Sequence, residues 1–229
     1  MRRETVETVF GLSLALSFTP LKRGVNEKDR MKNARDFAKD YLNKLGEVLD
    51  RLPLRQIEDV IAVIEEAHGA GRQIFIIGNG GSAATASHMM NDLSKGTLGH
   101  QGDAPWPRFR VIALTDNVSL MTAWANDTDY NRIFSEPLKN LAQSGDVLVA
   151  ISASGNSPNV VAAVRVAKEM GLKVVGLTGF GGGKLANLSD AAFVVPSSEY
   201  GPVEDVHLIL DHIITGYLYQ RLKEKHAAT

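Results

Sequence analysis

The chain has 229 residues, of which 44% are hydrophobic and none is cysteine, and its formal net charge is −1. This length suits one α/β domain with a helical extension, and the apolar content is too high for a disordered chain. The composition excludes disulfides, thiolate metal sites and cysteine nucleophiles, and the charge gives no sign of a basic surface for nucleic acid or membranes.

The first thirty residues differ from the rest of the chain. Arg2 and Arg3 precede an apolar stretch from Val9 to Phe18, which loosely resembles a weak signal sequence. The stretch has about ten residues, too few to span a bilayer, and no small-x-small cleavage site follows. Because Met31 opens a well-formed helical pattern, we interpret residues 1–30 as an upstream extension of unknown role rather than an export signal. We expect a cytoplasmic protein.

Two amphipathic helices are predicted between Met31 and Ala70, ahead of the first strand. Apolar residues recur at helical spacing up to Leu49, Pro53 interrupts the pattern, and a second helix ends near Gly69. The apolar faces of this hairpin would cover the chain's own sheet or pack against another subunit.

Short apolar runs alternate with helical stretches over the rest of the chain. The runs are rich in Val and Ile and lack a polar alternation, which is typical of strands buried on both faces of a parallel sheet. The predicted strands are Gln73–Ile77, Arg110–Leu114, Val147–Ile151, Lys173–Leu177 and Ala191–Val195. Helices are predicted after Ser82, Asn117, Ser157 and Gly182, and from about Val203 to Lys225. This alternation predicts a doubly wound α/β sheet, in which ligands bind beyond the carboxyl ends of the strands.

A glycine-rich loop, Gly78-Asn79-Gly80-Gly81-Ser82, follows the first strand. Its glycines permit a close approach of backbone to ligand, and the N–H groups of the helix that follows favour an anion. The spacing of a dinucleotide fingerprint fails at Ala83, and no G-K-[ST] of a P-loop occurs. From this loop alone, an anion site and a plain tight turn are equally supported.

A serine-rich loop, Ser152-Ala153-Ser154-Gly155-Asn156-Ser157-Pro158, follows the third strand. Hydroxyls and helix N–H groups together can bind a phosphate without lysine or arginine. Helix capping by Ser157 or Asn156 is the alternative, but it needs only one such residue. We therefore predict a phosphate site here. The glycine-rich loop Leu177–Gly183 after the fourth strand is interpreted as a flexible connection without chemistry.

Histidines and carboxylates recur on two helices. His88 and Asp92 are four residues apart, and the last helix carries Glu204, His207, Asp211 and His212. Glu204 and His212 lie roughly 80° apart around a helix, so both could point into one cleft. Such a set could bind Zn²⁺ or act as acid and base. From the pattern alone, a surface hydrogen bond between paired His and Asp is favoured over either role.

These motifs together resemble the phosphoheptose isomerase branch of the SIS (sugar isomerase) domain family. The resemblance runs in order from about Met31 to Leu222. It is carried by both loops, His88, Ala113-Leu114-Thr115-Asp116, Leu177-Thr178-Gly179 and Glu204-Asp205-Val206-His207. It implies a five-stranded parallel sheet of flavodoxin type in a SIS domain over residues 31–229. It also implies homotetramers with active sites between subunits and conversion of sedoheptulose 7-phosphate to D-glycero-D-manno-heptose 7-phosphate through an enediol.

The resemblance also assigns roles to individual residues. The phosphate would be held by Ser82, Ser152, Ser154 and Ser157, and the sugar site would be lined by Asn79, Gly80, Gly81, Asp116 and Glu204. One Zn²⁺ per subunit would be bound by His88, Asp92, Glu204 and His212. Asp92 and His212 would also be the acid/base pair. No nucleic acid or membrane partner is implied.

The chain departs from the family pattern around the sugar and acid/base region. The family usually has Glu in place of Asp92, Gln in place of Glu204, Thr in place of Ala153 and Arg in place of Pro202. Two alternatives therefore stay open. One is a related non-catalytic regulator that binds the bacterial replication initiator protein, although that relative lacks the histidine found here as His212. The other is an isomerase of a different sugar phosphate.

Overall fold

The computed structural model describes residues 33–99 and 102–227. Contacts divide the chain between Lys39 and Asp40 into two compact units. In the first unit, the side chain of Asn33 accepts a hydrogen bond from the backbone N–H of Asp36 at 3.0 Å at the start of the first helix. The second unit contains the sheet and all of the predicted site. The interpretation of residues 1–30 lies outside the described residues.

Helices and strands alternate along the described chain as the sequence predicts. Their bounds are α1 Ala34–Leu49, α2 Leu54–Gly69, β1 Gln73–Gly78, α3 Gly81–Lys95, β2 Arg110–Ala113, α4 Val118–Asp127, α5 Ser135–Leu141, β3 Val147–Ser152, α6 Pro158–Glu169, β4 Lys173–Thr178, α7 Gly183–Leu188, β5 Ala191–Val194 and α8 Tyr200–Ala227. The predicted strand bounds are confirmed to within one residue. Helix α5 was not predicted, since its seven residues are too few to establish a helical period.

The sheet is entirely parallel, with the strand order β2-β1-β3-β4-β5. The prediction of a five-stranded doubly wound sheet of flavodoxin type is therefore confirmed. The strand order reverses between β1 and β3, which neighbour each other although β2 separates them in the sequence. A crevice opens at such a switch point beyond the carboxyl ends of the strands. The two loops singled out above follow these two strands.

Strand residues alternate between two apolar cores. Ile76 and Val149 belong to the core shared with α2, α3 and α8, whereas Phe75 and Leu148 belong to the core shared with α5 and α6. All six residues of β3 are buried, which explains the lack of polar alternation in the sequence. Helix α2 covers the chain's own sheet, which was one of the two alternatives predicted for the apolar faces of the hairpin. Within the described ranges, no helix has the length and hydropathy needed to cross a membrane.

Helices α3 and α8 lie side by side and run in the same direction. Two pairs of neighbouring residues show this direction, because they follow the same order along both helices: Gly81 lies next to Glu204, and Gly96 lies next to Thr215. A Cβ on Gly96 would meet Thr215 Cγ2 at 3.3 Å, so the glycine allows close packing at this point. Residues 88–92 of α3 and 211–212 of α8 consequently lie at the same level.

Candidate active site

The serine-rich loop forms a compact turn at the start of α6. The Ser152 and Ser157 hydroxyls lie 3.1 Å apart, and Ser154 Oγ accepts a hydrogen bond from the N–H of Asn156 at 3.2 Å. Ser157 occupies the N-cap position, yet within the described chain its side chain makes no capping hydrogen bond. The capping alternative is therefore not realised by Ser157. Three hydroxyls surround the positive end of a twelve-residue helix, an arrangement suited to a phosphate.

The glycine-rich loop after β4 supports the serine-rich loop. Gly155 has φ +65°, and a Cβ on it would lie 2.1 Å from the carbonyl oxygen of Gly182. The backbone N–H of Leu185 donates to the Gly155 carbonyl at 2.9 Å, and that of Lys184 donates to Asn156 Oδ1 at 3.2 Å. Sequence reasoning assigned no role to the loop after β4. The run of glycines in this loop was the signal that could have predicted the contact, because glycines allow two backbones to approach closely. Gly181, Gly182 and Gly183 all have positive φ in the structure.

The loop after β1 contacts the first turn of α6, the helix that follows the serine-rich loop. The amide groups of Asn79 and Asn159 exchange two hydrogen bonds of 2.8 Å, which link β1–α3 to the start of α6. Asn79, predicted to line the sugar site, is thus engaged in holding the loops together. Gly80, with φ +53°, begins α3 with no side-chain cap from the described residues, and Ser82 is buried in the first turn.

Glu204 lies at the N-terminus of α3. A Cβ on Gly81 would meet Glu204 Oε2 at 2.7 Å, so the carboxylate is close to the backbone of the first turn. A negative charge is stabilised at a helix N-terminus. A phosphate at the same point would be repelled by Glu204, and the N-terminus of α6 is therefore the better phosphate site of the two.

Asp116 lies just beyond the carboxyl end of β2, at the same edge of the sheet. Ser87 of α3 donates a short hydrogen bond to Asp116 Oδ1, and Thr115 Oγ1 donates to the same oxygen at 3.2 Å. The carboxylate borders an open cleft of about 610 Å³ that is also lined by Met90 and Asn117. Asp116 is therefore positioned by α3 and accessible to a small molecule.

A cluster of histidine and aspartate side chains lies between α3 and α8. The Nε2 atoms of His88 and His212 are 3.2 Å apart. Asp92 Oδ2 is 3.5 Å from His88 Nε2 and 3.9 Å from His212 Nε2. The structure thus brings together three of the four predicted metal ligands. The side chain of His212 is 55% exposed, so the cluster can be reached from solvent.

The fourth member of this cluster is Asp211 rather than Glu204. One ligand atom from each of His88, Asp92, Asp211 and His212 lies within 4.8 Å of the others. Asp211 is fully buried, and burial, followed by the negative charge of Asp92, raises its pKa to about 7. Asp211 is adjacent to His212 in the sequence, but the burial of Asp211 depends on how α8 packs and could not be predicted from the sequence.

The spacing within the cluster fits a tetrahedral cation. With metal–ligand bonds near 2.1 Å, two ligand atoms of a tetrahedral Zn²⁺ lie about 3.4 Å apart. The three measured separations of 3.2, 3.5 and 3.9 Å bracket that value. Imidazole and carboxylate ligands are also a donor set that Zn²⁺ accepts. The residues present therefore fit a divalent metal.

Two further contacts hold α8 in place. His207 Nε2 lies 3.2 Å from the Thr178 carbonyl oxygen at the end of β4, and burial lowers the His207 pKa to about 4. This buried histidine is therefore neutral at pH 7 and acts as a structural group. Tyr41 of α1 donates a hydrogen bond of 2.5 Å to Asp205, which is the main cause that raises the Tyr41 pKa to about 12.

Known proteins resemble this chain both in sequence and in structure. The sequence model of the SIS domain family matches residues 39–179. The phosphoheptose isomerase of Rhodospirillum rubrum is 39% identical over 166 residues, which cover 72% of this chain and 86% of that protein. The phosphoheptose isomerase of Clostridium acetobutylicum is 33% identical over 186 residues, covering 81% and 89%. The solved structure of the phosphoheptose isomerase of Neisseria gonorrhoeae aligns with a TM-score of 0.73 at 27% identity, covering 80% of this chain and 97% of that one.

Proposed function

The chain belongs to the SIS domain family, and we propose that it is an aldose–ketose isomerase converting sedoheptulose 7-phosphate to D-glycero-D-manno-heptose 7-phosphate. The observation that carries the proposal is the approach of His212 Nε2 to within 3.9 Å of Asp92 Oδ2. It brings an imidazole and a carboxylate, groups of the kind that act as acid and base, from two separate helices to one exposed point. A non-catalytic regulator would not require this pairing, and the alternative is not favoured.

The phosphate of the substrate is proposed to bind at the start of α6. Ser152, Ser154 and Ser157 supply hydroxyl donors there, and Ser82 lies in the first turn of the neighbouring α3. An anchor at the far end of the sugar fixes the position of the reacting carbons and so lowers the entropic part of the barrier. Asn79, Gly80, Gly81, Asp116 and Glu204 would contact the sugar between the anchor and the cluster.

Proton transfer is proposed for Asp92 and His212. A base removes a proton from C1 of the ketose, and the released electron pair forms the C1–C2 double bond while the C2 oxygen gains a proton. Return of a proton to C2, with loss of the proton from the C1 hydroxyl, gives the aldose. The two groups come from different helices, so they can reach the substrate from different directions.

A divalent metal, with Zn²⁺ as the proposed ion, would be held by His88, Asp92 and His212, with Glu204 as the fourth ligand implied by the resemblance. Such an ion supplies Lewis acidity that polarises a carbonyl oxygen. The same atoms, Asp92 Oδ2 and His212 Nε2, are the ones that converge.

The assembly and location of the protein are part of the same proposal. We propose a homotetramer in the cytoplasm, with the SIS domain spanning residues 31–229 and residues 1–30 as an extension. Exposed apolar side chains on α1 and α8, including Leu42, Ile213 and Tyr217, support an interface between subunits.

The test is an NMR assay of the purified chain with sedoheptulose 7-phosphate in D₂O, with and without Zn²⁺. Conversion to the aldose, or deuterium at C1 or C2, is expected from enediol chemistry. If the sugar phosphate binds but neither conversion nor exchange occurs, the proposed reaction is wrong. Parallel reactions with hexose and pentose phosphates then distinguish a different substrate from a regulator.

A further inference from the structure

A buried carboxylate on α8 has no role in the assignment made from the sequence. Asp211 is 0% exposed, and its Oδ2 has no hydrogen-bond partner among residues 33–99 and 102–227. Its Oδ1 accepts a long hydrogen bond of 3.5 Å from Thr215 Oγ1. Buried polar atoms in native proteins are almost always paired, and a buried carboxylate is costly unless a cation or hydrogen bonds compensate it. The unpaired Oδ2 atom therefore needs an explanation, and a bound partner would supply one.

The surroundings of Asp211 identify that partner as a cation. Asp211 offers a carboxylate oxygen within 4.8 Å of ligand atoms from His88, Asp92 and His212. The two carboxylates are close enough to repel each other, since one oxygen of Asp92 and one of Asp211 lie within 4.8 Å of each other. A divalent cation between the two carboxylates would replace this repulsion with attraction. The two carboxylate charges would balance the charge of the cation, and the two imidazoles would complete the ligand set.

Glu204 is poorly placed to serve as the fourth ligand. Its carboxylate lies beside Gly81 at the N-terminus of α3. It precedes Asp211 by seven residues, which is about two turns or 10 Å along the axis of α8. Glu204 and Asp211 thus share one face of the helix but lie at different levels, and Asp211 is level with His88 and Asp92.

We propose that Asp211 is a direct metal ligand in this chain and completes, with His88, Asp92 and His212, a four-residue site for Zn²⁺ or a similar divalent cation. Glu204 lies outside this set and interacts with the backbone at the start of α3. The inference rests on the proposed function, since that proposal includes the metal. It changes which carboxylate binds the ion.

The test measures Zn²⁺ binding by calorimetry on the metal-free full-length chain and two matched variants. The wild type is expected to bind one Zn²⁺ per chain. Asp211→Asn keeps the shape of the side chain and removes its charge. It should weaken Zn²⁺ binding by about 100-fold, the upper end of the 10- to 100-fold loss typical of residues that only support metal ligands. Glu204→Ala, which removes every possible ligand atom of that side chain, is the control and should bind Zn²⁺ with wild-type affinity.

Two readouts independent of activity separate ligation from a structural role. Zn²⁺ should raise the Tm of the wild type but not that of Asp211→Asn, whose metal-free Tm should equal or exceed the wild-type value because a buried charge is removed. The visible spectrum of bound Co²⁺ should change in Asp211→Asn and not in Glu204→Ala. Asp211→Ser provides a second carboxylate-free variant and should behave as Asp211→Asn does.

Wild-type Zn²⁺ affinity in Asp211→Asn would overturn the inference, and so would loss of binding in Glu204→Ala alone. Failure of both Asp211 variants to fold would make Asp211 a structural group and would overturn it as well. If the wild type binds no Zn²⁺ yet isomerises sedoheptulose 7-phosphate, the inference fails and the proposed function stands. Zn²⁺ binding through Asp211 without isomerisation gives the opposite result.

Discussion

The serine-rich loop and the His/Asp cluster are built in different ways. The loop places its three hydroxyls within six consecutive residues, and backbone hydrogen bonds from its own turn and from the start of α7 hold it. The cluster joins His88 and His212, which are 124 positions apart, and its geometry depends on the packing of α3 against α8. Binding of the phosphate should therefore tolerate changes in helix packing that the reacting groups do not.

The largest effect is expected from His212→Ala. Loss of a general acid or base reduces kcat by about 10²–10⁴-fold, and the hydrogen bond of His212 goes to His88 rather than to the serine-rich loop. We expect turnover to fall by about 1000-fold while calorimetry shows unchanged binding of the sugar phosphate. His226→Ala, near the end of the same helix, is the control. Retention of a tenth of the wild-type kcat would remove His212 from the chemistry.

A smaller effect is expected when the two helices are pushed apart. In Gly96→Val, the added side chain would meet Thr215, because a Cβ at this position already lies 3.3 Å from Thr215 Cγ2. A displacement of about 1 Å at reacting groups can reduce the rate by about 100-fold, and kcat should fall by that order with KM little changed. For Gly216→Ala, a Cβ would have no described neighbour within 4 Å, and kcat should stay near wild type. A change in KM alone would contradict the distinction between the two regions.

The reverse pattern is expected from Ser154→Ala. Removing one hydrogen bond to a charged phosphate costs about 1.5–3 kcal/mol, which corresponds to a rise in KM of about 10- to 100-fold. The value of kcat should stay within about threefold, since the reacting groups are unaffected. Ser189→Ala is the control, because Ser189 precedes β5 at the opposite edge of the sheet and donates to the Leu185 carbonyl. An unchanged KM for Ser154→Ala would argue against the phosphate site.

The smallest effect on turnover is expected at His207, which connects β4 to α8 between the two regions and acts on stability. Its pKa is about 4 in the folded chain and 6.5 as the reference value, so the unfolded chain binds more protons between these pH values. Its contribution to stability is complete above pH 6.5 and is lost as the pH falls towards 4, by about 3 kcal/mol in all. His207→Gln should flatten this part of the pH dependence of the free energy of unfolding, measured in urea. An equal flattening in His226→Gln would show that His207 is not its source.

The sequence predicted local features well and long-range ones less well. Strands could be located to within one residue because parallel strands leave continuous Val- and Ile-rich runs, and the serine-rich loop was visible because all its residues are adjacent. The role of the loop after β4 could not be predicted, since it depends on contact between Gly155 and Gly182. Asp211 was visible in the sequence, but its burial and missing partner arise only when α8 packs on α3.

The close approach of Gly155 to Gly182 constrains how the protein can change over evolutionary time. A side chain at position 155 would collide with the carbonyl of residue 182, so neither loop can vary freely without a compensating change in the other. These positions should covary among descendants of this chain. A mutant library that aims to alter the anion preferred by the serine-rich loop should therefore randomise residues 154–156 and 181–183 jointly.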